Sequence, residues 1–165
     1  MSKWKKELVD RGLSTRNLAG ARLSRANLEW AQLPKANLMR ADLMGSYLTG
    51  ATLVMANLSS ANLSQARLRG ADLIGAQLIG ADLTNADLMK ANLTQADLSG
   101  ANLMGADFTG TILIGADLRS ARNLEARQLR AAITTSDTQI PKYLQSPSES
   151  QDKPLDLARL LDGIK

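Results

Sequence analysis

The sequence predicts an all-β chain of short extended pieces joined by regular corners, and three observations carry that prediction. Residues 16–120 repeat every five residues without interruption, each unit reading Ala, then Asn or Asp, then Leu, then two freer positions. Leu holds the third place in 20 of 21 consecutive units, with Phe108 the single substitute. Ten of the 12 glycines occupy the fifth place, leaving only Gly12 and Gly163 outside the pattern.

A period of five fits neither common element. Five residues advance an α-helix by about 140° beyond a full circle, which would scatter the leucines around its girth. In one continuous strand an odd period would send successive leucines to opposite faces and leave no apolar side to bury. A short extended piece followed by a corner resolves both conflicts. The first-place Ala and third-place Leu then point the same way, and the chain turns in the last two places. Glycine in the fifth place permits a positive φ, as at the third residue of a type II turn. Arg25, Trp30, Lys35 and Met55 stand at equivalent corners, and there the residue types predict other turns.

The units ANLMR, ADLMG, ANLSS, ADLIG, ADLTN and ANLTQ resemble those of the pentapeptide-repeat family, over about two thirds of the chain. That resemblance implies a right-handed four-sided β-helix with four units to each square coil. The expected architecture is therefore an all-β solenoid of about five coils with short α-helical caps. Family membership of this kind is specific for fold and nearly silent on function.

Composition narrows the chemistry. Aromatic residues make up only 3% of the 165 residues, thin for a globular core but sufficient for a solenoid filled by stacked Leu and Ala. The chain has no Cys and no His, which removes disulfides, thiol nucleophiles, imidazole bases and the usual zinc ligands. No enzyme, cofactor or metal site is expected. No run of about 20 apolar residues exists to span a bilayer, and the first ten residues are too charged for a signal peptide's apolar core, so a cytoplasmic location is expected. The net charge of +4 is unevenly spread: residues 1–65 carry nine Lys or Arg against four acids, and residues 66–120 carry four against six. The rod thus has a basic N-terminal end and a mildly acidic far half.

Five segments follow. Residues 1–12 read as an N-terminal capping helix, with Trp4 and Leu8 one turn apart and Gly12 as the stop. Residues 13–120 form the solenoid. Residues 121–133 read as a C-terminal capping helix, with Leu124, Leu129 and Ile133 near helical spacing, Asn123 as N-cap and residues 128–130 facing out. Residues 134–153, rich in Ser, Thr, Gln, Asp and Pro, suit a flexible linker. Residues 154–165 carry Leu157, Leu160, Leu161 and Ile164 on one face of a short amphipathic helix. Alone such a helix is marginal, so this tail contact is expected on the chain itself, on a second copy or on a partner.

Aspartates recur in the second place, at Asp42, Asp72, Asp82, Asp87, Asp97, Asp107 and Asp117. They are read as hydrogen-bonding residues rather than a metal or acid-base array, because Asn57, Asn62, Asn92 and Asn102 alternate with them and an amide cannot replace a catalytic carboxylate. With four units per coil, residues twenty apart stack. The third face then carries Trp30, Tyr47, Arg67 and Arg69 on successive coils, residue types that dominate binding hot spots. The fourth face carries Val54, Ile74 and Ile114 in an outward ladder, with Ile112 beside it. These eight residues are the candidate partner-binding surface, along the edge where the two faces meet.

The expected function is a non-enzymatic protein-protein interaction scaffold or regulator whose rigid surface binds an as yet unidentified protein, with no small-molecule substrate. A homodimer is compatible with this reading. Some members of the resembled family bind DNA gyrase as acidic mimics of duplex DNA, an alternative that the positive net charge and the lack of a loop insertion in the repeats oppose. Nucleic-acid binding through the basic end, with Arg11, Arg16, Arg22, Arg25, Lys35 and Arg40, is a third reading, weakened by having only Trp30 for stacking.

Overall fold

The computed structural model describes residues 17–145. Every second-place residue from Asn17 to Asn102 forms a parallel bridge to the residue twenty positions on, beginning with Asn17 to Asn37 and Arg22 to Asp42. Each twenty-residue step contains four turns, so the chain climbs as a square staircase. The third-place carbonyl closes each corner by accepting from the next first-place N–H, as in Ala26 N–H to Leu23 O at 3.0 Å.

The corners are uniform up to the last one, at Ser120. All ten fifth-place glycines of the repeat have a positive φ between 62° and 69°, and ten other fifth-place residues have one between 55° and 61°, among them Arg25 at 55°, Trp30 at 61°, Lys35 at 58° and Met55 at 56°. The variety of turns expected from the residue types is therefore not observed. A positive φ at the third turn residue, with none at the second, is the type II signature. A non-glycine residue held there costs on the order of 1–2 kcal/mol. The cost is tolerated because coils are bonded in register: a corner of different shape would displace its strand from the strand below.

That register satisfies almost the whole backbone. The second-place N–H donates to the first-place carbonyl of the preceding coil, as in Asp42 N–H to Ala21 O at 2.9 Å. The second-place carbonyl accepts from the third-place N–H of that coil, Leu23 N–H to Asp42 O at 2.7 Å. A third bond runs from fifth place to fourth, Arg25 N–H to Met44 O at 2.8 Å. Only the fourth-place N–H is left over. In all 14 units with Asn or Asp in second place, the side-chain Oδ1 accepts from that N–H, at 2.9 to 3.4 Å. Asn and Asp are interchangeable because each supplies the same acceptor. Where Gln32 replaces them, the fourth residue is Pro34, which has no N–H to satisfy.

Inside, Leu and Ala ladders are buried from Leu28 onward, and most are fully inaccessible. Each buried Leu contributes about 1.5–3 kcal/mol before chain entropy is counted. Two first-place residues bring hydroxyls into this interior. Thr111 donates to Leu88 O at 2.7 Å. Ser46 Oγ is buried without a partner.

The repeat ends in a cap that differs from the expected one. Helix α1 spans Ala126–Ala131, with Glu125 rather than Asn123 as N-cap. Glu125 and Gln128 form a capping box. Gln128 is buried rather than facing out, and its Nε2 donates to Leu103 O and Ala106 O at 2.8 and 2.9 Å. At Ala106 O it stands in for the second-place N–H of a next coil, and at Leu103 O it joins the corner bond from Ala106 N–H. Phe108, Arg127, Gln128 and Ala131 line one small cleft, so the repeat's single aromatic substitute lies where the helix replaces a strand.

Residues 134–145, expected within a flexible linker, continue the staircase instead. Ile133 pairs with Ile112, and Gln139 with Asp117. Thr138 and Ile140 are buried, and the Thr138 hydroxyl donates to Leu113 O at 2.8 Å. A short 3-10 turn at Lys142–Leu144 brings the Tyr143 hydroxyl against Ala121 O and Leu124 O, at 3.3 and 3.2 Å. The physical reason is the open end of the rod, where carbonyls of the last coil need donors and its leucines need cover. The expected N-terminal helix (1–12), residues 146–153 of the linker and the tail helix with Leu157, Leu160, Leu161 and Ile164 lie outside the described residues.

Two stability measurements follow from this arrangement. A chain ending at Ile133 should melt well below the full chain or aggregate, whereas one ending at Gln145 should stay folded, because only the latter keeps the cap over the last coil. Equal melting of both would show that residues 134–145 cover nothing. Ser46→Ala should stabilise the protein by about 1 kcal/mol in chemical denaturation, since it deletes an unsatisfied buried hydroxyl. A loss of stability would reveal a partner for Ser46.

Candidate protein-interaction edge

Seven units break the second-place rule, with Arg22, Gln32, Tyr47, Thr52, Arg67, Gln77 and Ile112. None of these side chains caps the fourth-place amide, so each is released from the job that the repeat assigns to this position. Three belong to the candidate surface. Tyr47 and Arg67 stack on consecutive coils, paired by a backbone bridge, with the Arg67 guanidinium 4.9 Å from the centre of the Tyr47 ring. A cation over an aromatic face at an exposed site contributes about 0.5–1 kcal/mol. Arg69, on the same coil as Arg67, reaches Asp87 at 3.5 Å and the Met89 sulfur at 2.7 Å. The structure thus pairs Tyr47 with Arg67, while Arg69 turns towards the following coil.

Trp30 stands at the corner between the third and fourth faces and is 69% exposed. Its indole lies over Gly50, where an added Cβ would overlap the ring. Gly50 is therefore covered rather than bare. Gly70, one coil further, has open space around it. On the fourth face Val54, Ile74 and Ile112 are half-buried and Ile114 is exposed.

Four coil steps separate Trp30 from the last coil, about 19 Å at the usual strand spacing. The edge consequently has two parts, Trp30 with the Tyr47 and Arg67 pair near the N-terminal end, and Ile112 with Ile114 near the other. A further residue extends the second part. Ile133 was read as part of a helix's apolar face, yet it sits outward beside Ile112 and is 44% exposed. The sequence signal for this is the dipeptide Ala132-Ile133, which repeats the first- and second-place pattern of Thr111-Ile112.

Two second-place carboxylates titrate away from their ordinary range. Asp107 is held below the usual carboxylate range, first by the Thr109 hydroxyl and then by the Thr109 N–H. Asp117 is lowered chiefly by its hydrogen bond from Arg119. Both therefore favour the folded state at neutral pH, and lose that contribution as pH falls through their lowered folded-state values. Among the described residues no group of acidic side chains could hold a metal ion, and no helix is long and apolar enough to cross a membrane.

Comparison with protein families matches the model described as pentapeptide repeats over residues 21–54, 53–88 and 86–122, more than half of the chain. A comparison with curated proteins finds no match. Among solved structures, the chain is similar to alr5209, a pentapeptide repeat protein from Nostoc PCC 7120, at 36% identity and a TM-score of 0.55, covering 63% of this chain and 84% of that one. It is also similar to Rfr23 from the cyanobacterium Cyanothece 51142, at 37% identity and a TM-score of 0.43, covering 67% of this chain and 64% of that one. A third is HetL from Nostoc sp. strain PCC 7120, described as involved in heterocyst differentiation regulation, at 31% identity and a TM-score of 0.40. That match covers 82% of this chain and 64% of HetL.

The contact of Trp30 with Gly50 is open to a direct check. Gly50→Ala and Gly70→Ala should each cost about 1–2 kcal/mol for the left-handed corner, with Gly50→Ala costing more because the indole must swing away. In a Trp30→Ala background the two costs should become equal. A difference that persisted would place the Trp30 ring elsewhere.

Proposed function

This chain belongs to the pentapeptide-repeat family, and from that premise we propose that it is a non-enzymatic scaffold whose third and fourth faces meet in a protein-binding edge. The family's right-handed β-helix is the fold, here about five coils long. The observation that carries the reading is the release of Tyr47, Arg67 and Ile112 from the second-place hydrogen bond. Packing dictates the other places of each unit, so side chains that break the rule are available for contact. Trp30 adds a large exposed ring at a corner that glycine would fill at lower cost.

The partner proposed is a protein. A flat, rigid strip with an aromatic-basic pair and an isoleucine group offers anchors of the kind that carry most binding energy in protein interfaces. A solenoid holds such anchors at fixed spacing, which limits the entropy lost on binding. Duplex DNA would require a continuous basic track, whereas Arg69 is engaged by Asp87, and the same face continues to Asp107. The proposed setting is the cytoplasm.

A double variant, Trp30→Ala with Arg67→Ala, tests the edge. Binding of a partner recovered by pull-down with the full chain should weaken by more than tenfold, over about 1.4 kcal/mol, with little change in melting temperature. Undiminished binding by the folded variant would reject this surface. Strongly salt-dependent binding to random duplex DNA, of similar strength to the protein complex, would favour the basic-end reading instead.

A further inference from the structure

The rod carries a second exposed apolar feature, at its C-terminal end. An open groove of about 1230 Å³ runs along the C-terminal end, lined by Met104, Leu124, Ile140 and Tyr143, with Arg122 and Lys142 at its rim. Met104 is 51% exposed and Tyr143 53% exposed, although both sit beside buried core residues. Small-molecule pockets are enclosed and usually about 300–1,000 Å³. A larger open trough suits a segment of chain.

We propose that this groove is the docking site of the chain's own C-terminal segment, residues 154–165, held in cis. Three observations converge on that occupant. Gln145, the last described residue, itself lines the groove, so the remaining chain starts at its edge. The segment carries Leu157, Leu160, Leu161 and Ile164 at helical spacing, a stripe that matches the apolar floor, with Asp156 flanking it to meet Arg122 or Lys142. The eight residues 146–153 span at most roughly 29 Å when extended, which keeps the stripe within reach of the groove.

Tethering supplies the affinity that so short a helix lacks. A twelve-residue helix is marginal in water, but a tether of eight residues would present it at an effective concentration in about the millimolar range. Docking would cover the exposed Met104 and Tyr143. It would also leave Trp30, Tyr47 and Arg67 uncovered, because they lie on earlier coils towards the other end of the rod. This inference stands apart from the reading of the binding edge, and its test does not use a partner.

The chain has no cysteine, so a single engineered pair reports position cleanly. In the full chain, Met104→Cys with Leu160→Cys should form an intramolecular disulfide under mild oxidation. Ile114→Cys with Leu160→Cys, at a similar height on the opposite face, should do so at least tenfold more slowly. The rate of the first pair should not depend on protein concentration. Adding Leu157→Asp and Leu161→Asp to the first pair should abolish its advantage. Equal rates for the two pairs, or a faster reaction at Ile114, would overturn the proposal. So would a dimeric product whose rate rises with concentration, which would assign the segment to a second copy.

Discussion

A corner turned the same way every five residues is the constraint from which the rest of this molecule follows. Its left-handed fifth residue brings each first-place N–H back to a third-place carbonyl, and sets the next strand at the height where it pairs with the coil below. Once that register exists, inward places take side chains of repeating size, Leu and Ala almost throughout, with Ser46, Phe108 and Thr111 the exceptions. The fourth-place amide, which neither the ladder nor the corner satisfies, makes Asn or Asp the natural second-place residue. An otherwise puzzling row of acids and amides is thus a set of hydrogen-bond acceptors. It needs no metal and no substrate to explain it.

Uniformity separates structure from function in an unusually readable way. In a globular protein each exposed residue has its own history of packing, so an unusual side chain is hard to interpret. Here every place has a stated job, and the exceptions are visible against it. Tyr47 and Arg67 surrender a backbone hydrogen bond, and gain only a modest contact with each other. Trp30 occupies a strained corner and leaves most of its ring in solvent. The proposed binding edge rests on these local departures, and its distance from the C-terminal groove leaves the two surfaces free to act independently.

Much of this was legible from the five-residue period. That period alone places the corner, the inward Leu and Ala and the outward second place. The uniform corners were not legible, because residue preference at Arg25 or Lys35 is a local quantity, whereas register is imposed by the coils above and below. The cap was misread for a related reason. Gln128 looks like an exposed helical residue until Leu103 and Ala106 present carbonyls to it across the end of the rod. Residues 134–145 have the composition of a linker, yet Thr138 and Gln139 follow the pairing positions of the staircase. Composition reports what a segment can bury by itself, and these residues use a surface that the repeat has already built. Ile133 shows the converse, an apolar residue assigned to a core that lies on the outer face.

Amide hydrogen exchange at the fourth place tests the central claim, that the second-place side chain completes the backbone. The account predicts slow exchange at Ser59, Ser64, Thr84, Met89, Thr94 and Ser99, whose N–H groups are bonded to Asn or Asp. It predicts markedly faster exchange at Thr49, Val54, Arg69 and Ile79, which follow Tyr47, Thr52, Arg67 and Gln77 within the same rod. Equal protection of the two groups would contradict it, because the choice of Asn or Asp would then owe nothing to the fourth-place amide.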